Sequence, residues 1–196
     1  MAYPLIPVLG IQNNEQDAVL TGRMFIYSSA AAGVLAKAAD TSPVMMIWNP
    51  AGSGVNLRIH EVRIGAVSGT VILAHLAYGI LLNAGAQVGT AQPIVSATFV
   101  NPINSLIGAG RASQVKFAPA TVSLTAAPTY MLPSGFSSGG ALAAGPLNVL
   151  IDRVEGKIVI PPGVAFFAYL SNGAMALTAA VSVFATEEPV QVSAQY

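Results

Sequence analysis

The chain has 196 residues, with eight Lys and Arg against eight Asp and Glu, so its formal net charge at pH 7 is zero. Charged residues make up 8% of the sequence, against about 25% in ordinary soluble domains. This balance excludes a disordered tail and an electrostatic nucleic-acid binder, and the lack of cysteine excludes a disulfide framework or a cysteine-based metal site.

The shortage of charge predicts that much of the surface is covered. Hydrophobic residues make up 54% of the chain, and a monomer with so few charges should associate or precipitate near its pI of 6.7. The uncharged window at residues 71–86 is shorter than the roughly 20 residues of a spanning helix. We therefore expect contact with copies of the chain or with another protein, and no membrane or nucleic-acid partner.

The first 17 residues contain Pro4 and Pro7 and end in a polar run, which is typical of an extended arm. A frayed terminus is the alternative interpretation. The aliphatic residues of the arm need cover, which a neighbouring subunit could supply: Leu5, Ile6, Val8 and Leu9.

Beyond the arm, apolar residues recur at the period of a β-strand. Val55, Leu57 and Ile59 alternate with polar residues, and the phase then shifts to Val62 and Ile64, which predicts a bulge near Glu61. The predicted strands are 19–27, 44–48, 55–64, 70–78, 94–100, 113–117, 121–125, 149–152, 157–160, 164–170 and 177–186. Few helices are expected, and residues 30–39 are the best candidate for one. Many short strands separated by Gly, Pro, Asn and Ser clusters indicate a β-sandwich or barrel of jelly-roll type.

Residues 126–147 predict a long loop, because Ala, Gly, Pro and Ser occupy 15 of these 22 positions. The segment has no charge but several large apolar residues, which indicates a contact loop rather than a solvated linker. Its candidate interface residues are Tyr130, Met131, Leu132, Phe136 and Leu142.

Two short motifs resemble catalytic signatures without their required context. Residues 135–139 match G-x-S-x-G, but no helix-forming segment follows, and both His60 and His75 precede the serine. Ser113 and Lys116 match S-x-x-K, but three positions along a strand place them on opposite faces. Two histidines fifteen positions apart do not form a β-barrel metal centre. We predict that the chain is not an enzyme and has no catalytic, cofactor-binding or metal-binding residues.

Two segments carry a family resemblance. Ile47–Val55 (IWNPAGSGV) and Lys157–Tyr169 (KIVIPPGVAFFAY) resemble small virion structural proteins of tailed bacteriophages. In those proteins, a strand ending in W/F-N-P turns into an alternating strand, and an I-P-P-G hairpin precedes the last strands of a jelly roll. The resemblance implies a capsid decoration (cement) protein, homotrimeric and in contact with the major capsid protein or another virion protein.

The sequence thus predicts an all-β chain, with an arm at residues 1–17 and one antiparallel β-sandwich domain of jelly-roll type at residues 18–196. The expected location is the virion, assembled in the host cytoplasm. Two alternatives remain open: a tail, baseplate or fibre component, and a β-sandwich module that binds carbohydrate or a receptor.

Overall fold

The structure is a computed structural model that describes residues 14–29, 34–35, 43, 45–68, 70–82, 94–108, 110–119, 122–125, 129–141, 149–171 and 178–190. Within these residues the chain is almost entirely β, with one short helix, α1 (Asn14–Leu20). The strands are β1 (Met24–Ser28), β2 (Val34–Leu35), β3 (Met45–Asn49), β4 (Val55–Ser68), β5 (Thr70–Leu81), β6 (Ile94–Ser96), β7 (Ile103–Asn104), β8 (Lys116–Ala118), β9 (Ser123–Leu124), β10 (Thr129–Ala141), β11 (Val149–Ile160), β12 (Val164–Ser171) and β13 (Thr178–Pro189).

The strands form two large antiparallel sheets. Sheet A has the order β11–β4–β13–β1–β7, with β2 also paired to β13. Sheet B has the order β10–β5–β12–β3–β8, and β6 and β9 form a small third sheet. The prediction of an all-β antiparallel sandwich is confirmed at this level.

One hydrophobic core lies between sheets A and B. It takes Leu57 and Ile59 from β4 and aromatic rings from both sheets. In β13 every second residue is buried along most of the strand, because alternate side chains of a strand point to opposite faces. On the sheet B side, the rings of Tyr78 and Phe166 lie 5.3 Å apart between their centroids.

A second core covers the other face of sheet B. Trp48 and Phe167 pack there with Ile94 of β6 and Leu124 of β9, and the Trp48 ring lies 5.7 Å from that of Phe99. All five residues of β3 are consequently buried. Burial on both faces explains why β3 and β12 are nearly continuous apolar runs rather than alternating ones.

Helix α1 occupies residues that the sequence pattern assigned to the end of the arm and the start of a strand. The helix ends at a glycine with a left-handed backbone, Gly22, whose φ is +66°. Arg23 N donates to Ala18 O at 2.7 Å and Gly22 N donates to Val19 O at 2.9 Å, which is the Schellman pattern of a helix C-terminus. Gly22 therefore ends α1 and lets the chain turn into β1.

The predicted bulge near Glu61 is confirmed. In the pairing of β13 with β4, Phe184 is opposite Glu61 and Ala185 is opposite Ile59, so His60 is the additional residue. β11 is also irregular opposite this point, with positive φ at Glu155 (54°) and at Gly156. Residues 149–160 thus form one kinked strand, where the sequence predicted two.

Two expectations about the connecting segments differ from the structure. Residues 129–141, predicted as part of a long loop, form strand β10 along β5, with irregularities near Tyr130 and Ser134. β10 is a terminal strand of sheet B, where Pro133 and small residues are tolerated because only one edge of the strand is bonded. The helix predicted at residues 30–39 is wrong at Val34–Leu35, which pair with β13; its other residues lie outside the described ones.

The side chain of Asn49 links the two sheets at one end of the sandwich. Its Nδ2 donates to Val55 O of β4 at 2.8 Å and to Ile160 O of β11 at 2.9 Å. Its backbone oxygen accepts from Gly163 N at 2.7 Å. Asn49 is fully buried and belongs to β3 of sheet B. Its side-chain amide bonds two strands of sheet A, and its backbone oxygen bonds the turn after β11. One residue therefore joins the two sheets at this end of the sandwich.

We expect Asn49→Ala to lower the free energy of unfolding by about 2–4 kcal/mol, because two buried carbonyl oxygens lose their donor. The measurement is equilibrium urea unfolding followed by tryptophan fluorescence. Asn56→Ala, seven residues along the chain and half-buried, is the matched control and should change stability by less than about 0.5 kcal/mol. Equal losses in both variants would contradict the proposed link.

Candidate functional site

The predicted interface residues divide into two groups. Tyr130, Met131, Leu132 and Phe136 lie in β10, at the outer end of sheet B. The arm residues Leu5, Ile6, Val8 and Leu9, together with Leu142, lie outside the described residues. The structure therefore brings four of the nine onto one strand and does not test whether they contact a partner.

Charge is distributed very unequally between the sheets. Strands β3, β5, β10 and β12 contain no Lys, Arg, Asp or Glu, and Lys116 of β8 is the one charged residue of sheet B. Twelve of the fourteen charged residues that the structure describes lie in α1, in the turn after it, or in β4, β11 and β13 of sheet A. Sheet A thus carries nine of these fourteen charged residues, and sheet B carries one.

The charged residues of sheet A pair with one another across its strands. Arg58 of β4 binds Glu188 of β13 through two contacts of 3.1 Å. Glu61 binds Arg63 and also lies 3.6 Å from Arg153 of β11. The Arg58–Glu188 pair is partly exposed and Arg63 and Arg153 are more exposed than Glu61, so each pair contributes only modestly to stability.

A pocket of about 360 Å³ opens on this charged surface. Its lining residues are Glu15, Met24, His60, Glu61, Arg63, Arg153, Glu155 and Phe184. Arg63 lies over the ring of Phe184, 4.6 Å from its centroid. Within the lining, Glu61 pairs with Arg63 and Arg153, and Glu155 pairs with Lys157, so most of the charge in the pocket is compensated.

His60 lies at the floor of this pocket and connects α1 to sheet A. Its Nε2 is 3.0 Å from Thr186 Oγ1, and its Nδ1 is 3.4 Å from a carboxylate oxygen of Glu15 in α1. Burial lowers the pKa of His60, and Arg58 acts in the same direction, whereas Glu15 and Glu188 act against it. The neutral imidazole therefore predominates at pH 7.

A buried carboxylate anchors the segment that crosses from sheet A to β8. Glu187 is fully buried and accepts from Arg111 Nη2 at 2.6 Å, from Ser113 Oγ and from Gln114 N at 3.0 Å. Burial is the main cause that raises the pKa of the nearby Tyr27, so that phenol stays protonated beside the carboxylate. Val115 N also donates to Glu187, at 3.3 Å, so four groups fix residues 111–115 to β13.

Sequence reasoning missed three strongly exposed aliphatic residues, Leu20, Ile103 and Ile107, which are 68%, 59% and 90% exposed. Leu20 is the last residue of α1, Ile103 begins β7 and Ile107 follows β7. Asn104 Nδ2 donates to Gly22 O at 2.9 Å, so the backbone beside Ile103 is bonded to the turn after α1.

The two motifs that resemble catalytic signatures have other surroundings here. The G-x-S-x-G pentapeptide at residues 135–139 lies within β10, not at a turn from a strand into a helix. Ser113 Oγ donates to the buried carboxylate of Glu187, and Lys116 lies in β8 with its side chain exposed. Residues 135–139 and Lys116 thus belong to strands. Ser113 belongs to the segment that hydrogen-bonds the Glu187 carboxylate.

In the described part of the chain, no group of three or more His, Asp or Glu side chains has the arrangement to hold a metal ion. None of the helical structure in those same residues has the length and apolarity of a membrane span.

No protein-family model, curated protein or solved structure matches this chain.

The His60 contact predicts a pH dependence of stability. The pKa of His60 in the folded chain lies below its ordinary value of 6.5. Below pH 6.5 the unfolded chain therefore binds more protons than the folded chain, and the free energy of unfolding falls as the pH falls. Urea unfolding of the natural chain between pH 7.5 and 5 should show this loss. His60→Gln should show a flatter profile, and identical slopes in both proteins would contradict the assignment.

The Glu187 anchor predicts unequal effects at two adjacent acidic residues. Glu187→Gln removes an acceptor from Arg111 in a buried site and should lower the free energy of unfolding by about 2–3 kcal/mol. Glu188→Gln breaks only the exposed pair with Arg58 and should cost less than about 1 kcal/mol. Equilibrium unfolding of both variants tests this, and a reversed order would contradict it.

Proposed function

We propose that this chain is a bacteriophage virion structural protein, a capsid decoration protein that stabilises the head by contacts with itself and with neighbouring capsid subunits. In this proposal it is a homotrimer with a jelly-roll fold and resides in the virion. Its role is mechanical, and no residue is assigned to catalysis.

The strand pairing supports the jelly-roll part of the proposal. Eight strands of the described chain have five or more residues: β1, β3, β4, β5, β10, β11, β12 and β13. The first pairs with the last, the second with the seventh, the third with the sixth and the fourth with the fifth. Such a nested set, rolled so that its pairs alternate between two sheets, is the connectivity of a jelly roll.

The near absence of charge from sheet B is the observation that carries the proposed function. β10 ends this sheet, and none of its 13 residues is charged. Proteins that remain monomeric usually protect a long edge strand with charges, Pro, bulges or a covering segment. β10 has Pro133 and two irregularities but no charge. An uncharged edge is suited to a protein whose edge is occupied by a neighbouring subunit.

The two segments that resemble phage virion proteins add support because they meet in space. Ile47–Val55 and Lys157–Tyr169 are joined by the Asn49 amide and by the pairing of β3 with β12. The rigid corner built by these segments could hold the strands at a constant angle in a crowded lattice. Closed symmetry with apolar contacts is how identical subunits bury surface cooperatively.

The proposal predicts self-association at micromolar concentration, with a mass above 20.0 kDa, measured by size-exclusion chromatography with light scattering. Ser134→Lys with Ser138→Lys in β10 should weaken association roughly tenfold or more, because charges on an edge strand oppose pairing. Val159→Lys, on the opposite terminal strand β11, is the control and should associate like the natural chain. A stable 20.0 kDa monomer would contradict the proposal.

The virion location has a separate test. Cryo-electron microscopy of the native particle should show density for this chain on the outer surface of the head, at the junctions between capsid subunits. Density only in the tail, baseplate or fibres would replace the decoration role with one of those alternatives. The absence of the chain from purified particles would overturn the virion proposal itself.

A further inference from the structure

The pocket on the charged surface lies where two neighbouring strands of sheet A are irregular. In a regular strand, His60 and Glu61 would point to opposite faces. The bulge in β4 makes His60 the additional residue, and both side chains line the pocket. Opposite the bulge, Glu155 of β11 has a φ of 54°, which is uncommon for a residue other than glycine. Bulges and residues with such backbone angles are concentrated at functional sites.

The Glu61 carboxylate is held between two guanidinium groups. Its Oε1 accepts from Arg63 Nε, and its Oε2 lies 3.6 Å from Arg153 Nε. The Arg63 guanidinium also lies over the ring of Phe184, which fixes its plane. A guanidinium has five N–H donors and a carboxylate about four acceptor positions. These contacts use only part of that capacity, so the pocket offers a ligand both donors and acceptors in fixed positions.

The compensated charge of the lining favours a neutral ligand over an ion. Glu61 faces two arginines, and Glu155 lies 3.7 Å from Lys157, so a charged ligand would have to compete with existing ion pairs. A hydroxyl group both donates and accepts a hydrogen bond. It can therefore bond a carboxylate oxygen and a guanidinium N–H at once, without separating them. A ligand with several adjacent hydroxyl groups fits this lining best.

The size and the apolar part of the pocket fit a sugar ring. The volume of about 360 Å³ lies near the lower end of the range for small-molecule sites, about 300–1,000 Å³. Met24 and Phe184 also line the pocket and supply carbon surface. A sugar ring has hydroxyl groups around its rim and C–H groups on its faces, so it matches a lining of both kinds.

We propose that this pocket binds a neutral sugar residue of a glycan. Glu61, Arg63 and Arg153 bond its hydroxyl groups, and Met24 and Phe184 contact its ring carbons. The inference goes beyond the proposed structural role and does not depend on it. The pocket lies on sheet A, whereas the proposed self-association uses β10 of sheet B.

Ligand-detected NMR titration of the full chain tests the proposal. The probes are the methyl glycosides of glucose, galactose, mannose, N-acetylglucosamine and rhamnose, which are neutral. We expect at least one of them to bind with a Kd of about 1–5 mM, as is typical for a ligand of this size. That Kd should change less than about twofold between roughly 50 and 500 mM NaCl, because salt screens only charged contacts.

Two charged sugars test the choice of a neutral ligand. N-acetylneuraminic acid is an anion and glucosamine is a cation, and both should bind more weakly than the best neutral probe. Binding of a charged sugar alone would overturn the proposal, as would binding of none of the probes.

Variants of the lining locate the site. Arg153→Met removes the N–H donors of a side chain that is 75% exposed, so the fold should tolerate it, and binding should weaken roughly tenfold. Arg63→Met should act in the same direction. Arg23→Met is the matched control, because Arg23 pairs with Asp17 and does not line the pocket; its Kd should stay within about twofold. Sugar binding that is unchanged in Arg153→Met, or weakened equally in Arg23→Met, would contradict the site.

Self-association separates this inference from the proposed function. Arg153→Met should associate like the natural chain, and Ser134→Lys with Ser138→Lys should bind the sugar like the natural chain. If the chain associates but binds no probe, the saccharide site alone is wrong. If it binds a sugar but remains a monomer, the proposed function alone is wrong.

Discussion

The buried amide of Asn49 is the contact on which the geometry of the sandwich depends. Its two hydrogen bonds reach β4 and β11 of sheet A from β3 of sheet B. Most of the remaining contact between the facing sheets is apolar packing, which has no direction of its own. A second directed contact is the hydrogen bond from the Tyr78 hydroxyl of β5 to Asp152 Oδ2 of β11, at 2.7 Å. One buried, hydrogen-bonded side chain therefore determines where the sheets meet at this corner, and the turns at Pro50 and Pro161 form around it.

Charge is distributed unequally between the two sheets. Sheet A keeps its ionic groups in cross-strand pairs, and Glu187 withdraws a further carboxylate into the interior to anchor residues 111–115. Sheet B collects the uncharged segments, including β10 at its edge. A molecule built in this way has one hydrated face and one edge suited to a protein neighbour, which is the physical basis of the proposed structural role.

Much of the strand pattern could be predicted from the sequence, because alternation reports directly on which residues share a face. Strands β4 and β13 and the bulge at His60 follow this alternation, whereas β3 and β12 are continuous apolar runs between turns. β10 could not be predicted, since its Gly, Ser and Pro residues are typical of loops. β10 is a strand because it pairs along β5 through backbone hydrogen bonds. Backbone groups of almost any sequence can make such bonds, so the composition of β10 does not predict them.

The sequence alone determined the scarcity of charge, the β-period of its apolar residues and the turns marked by Pro and Gly, all of which are properties of composition and near neighbours. The tertiary structure decided which strands are adjacent, and that Glu187 is fully buried while Glu188 is partly exposed. The reason is separation along the chain: Asn49 and Ile160 are 111 positions apart, and only the folded topology brings such residues into contact.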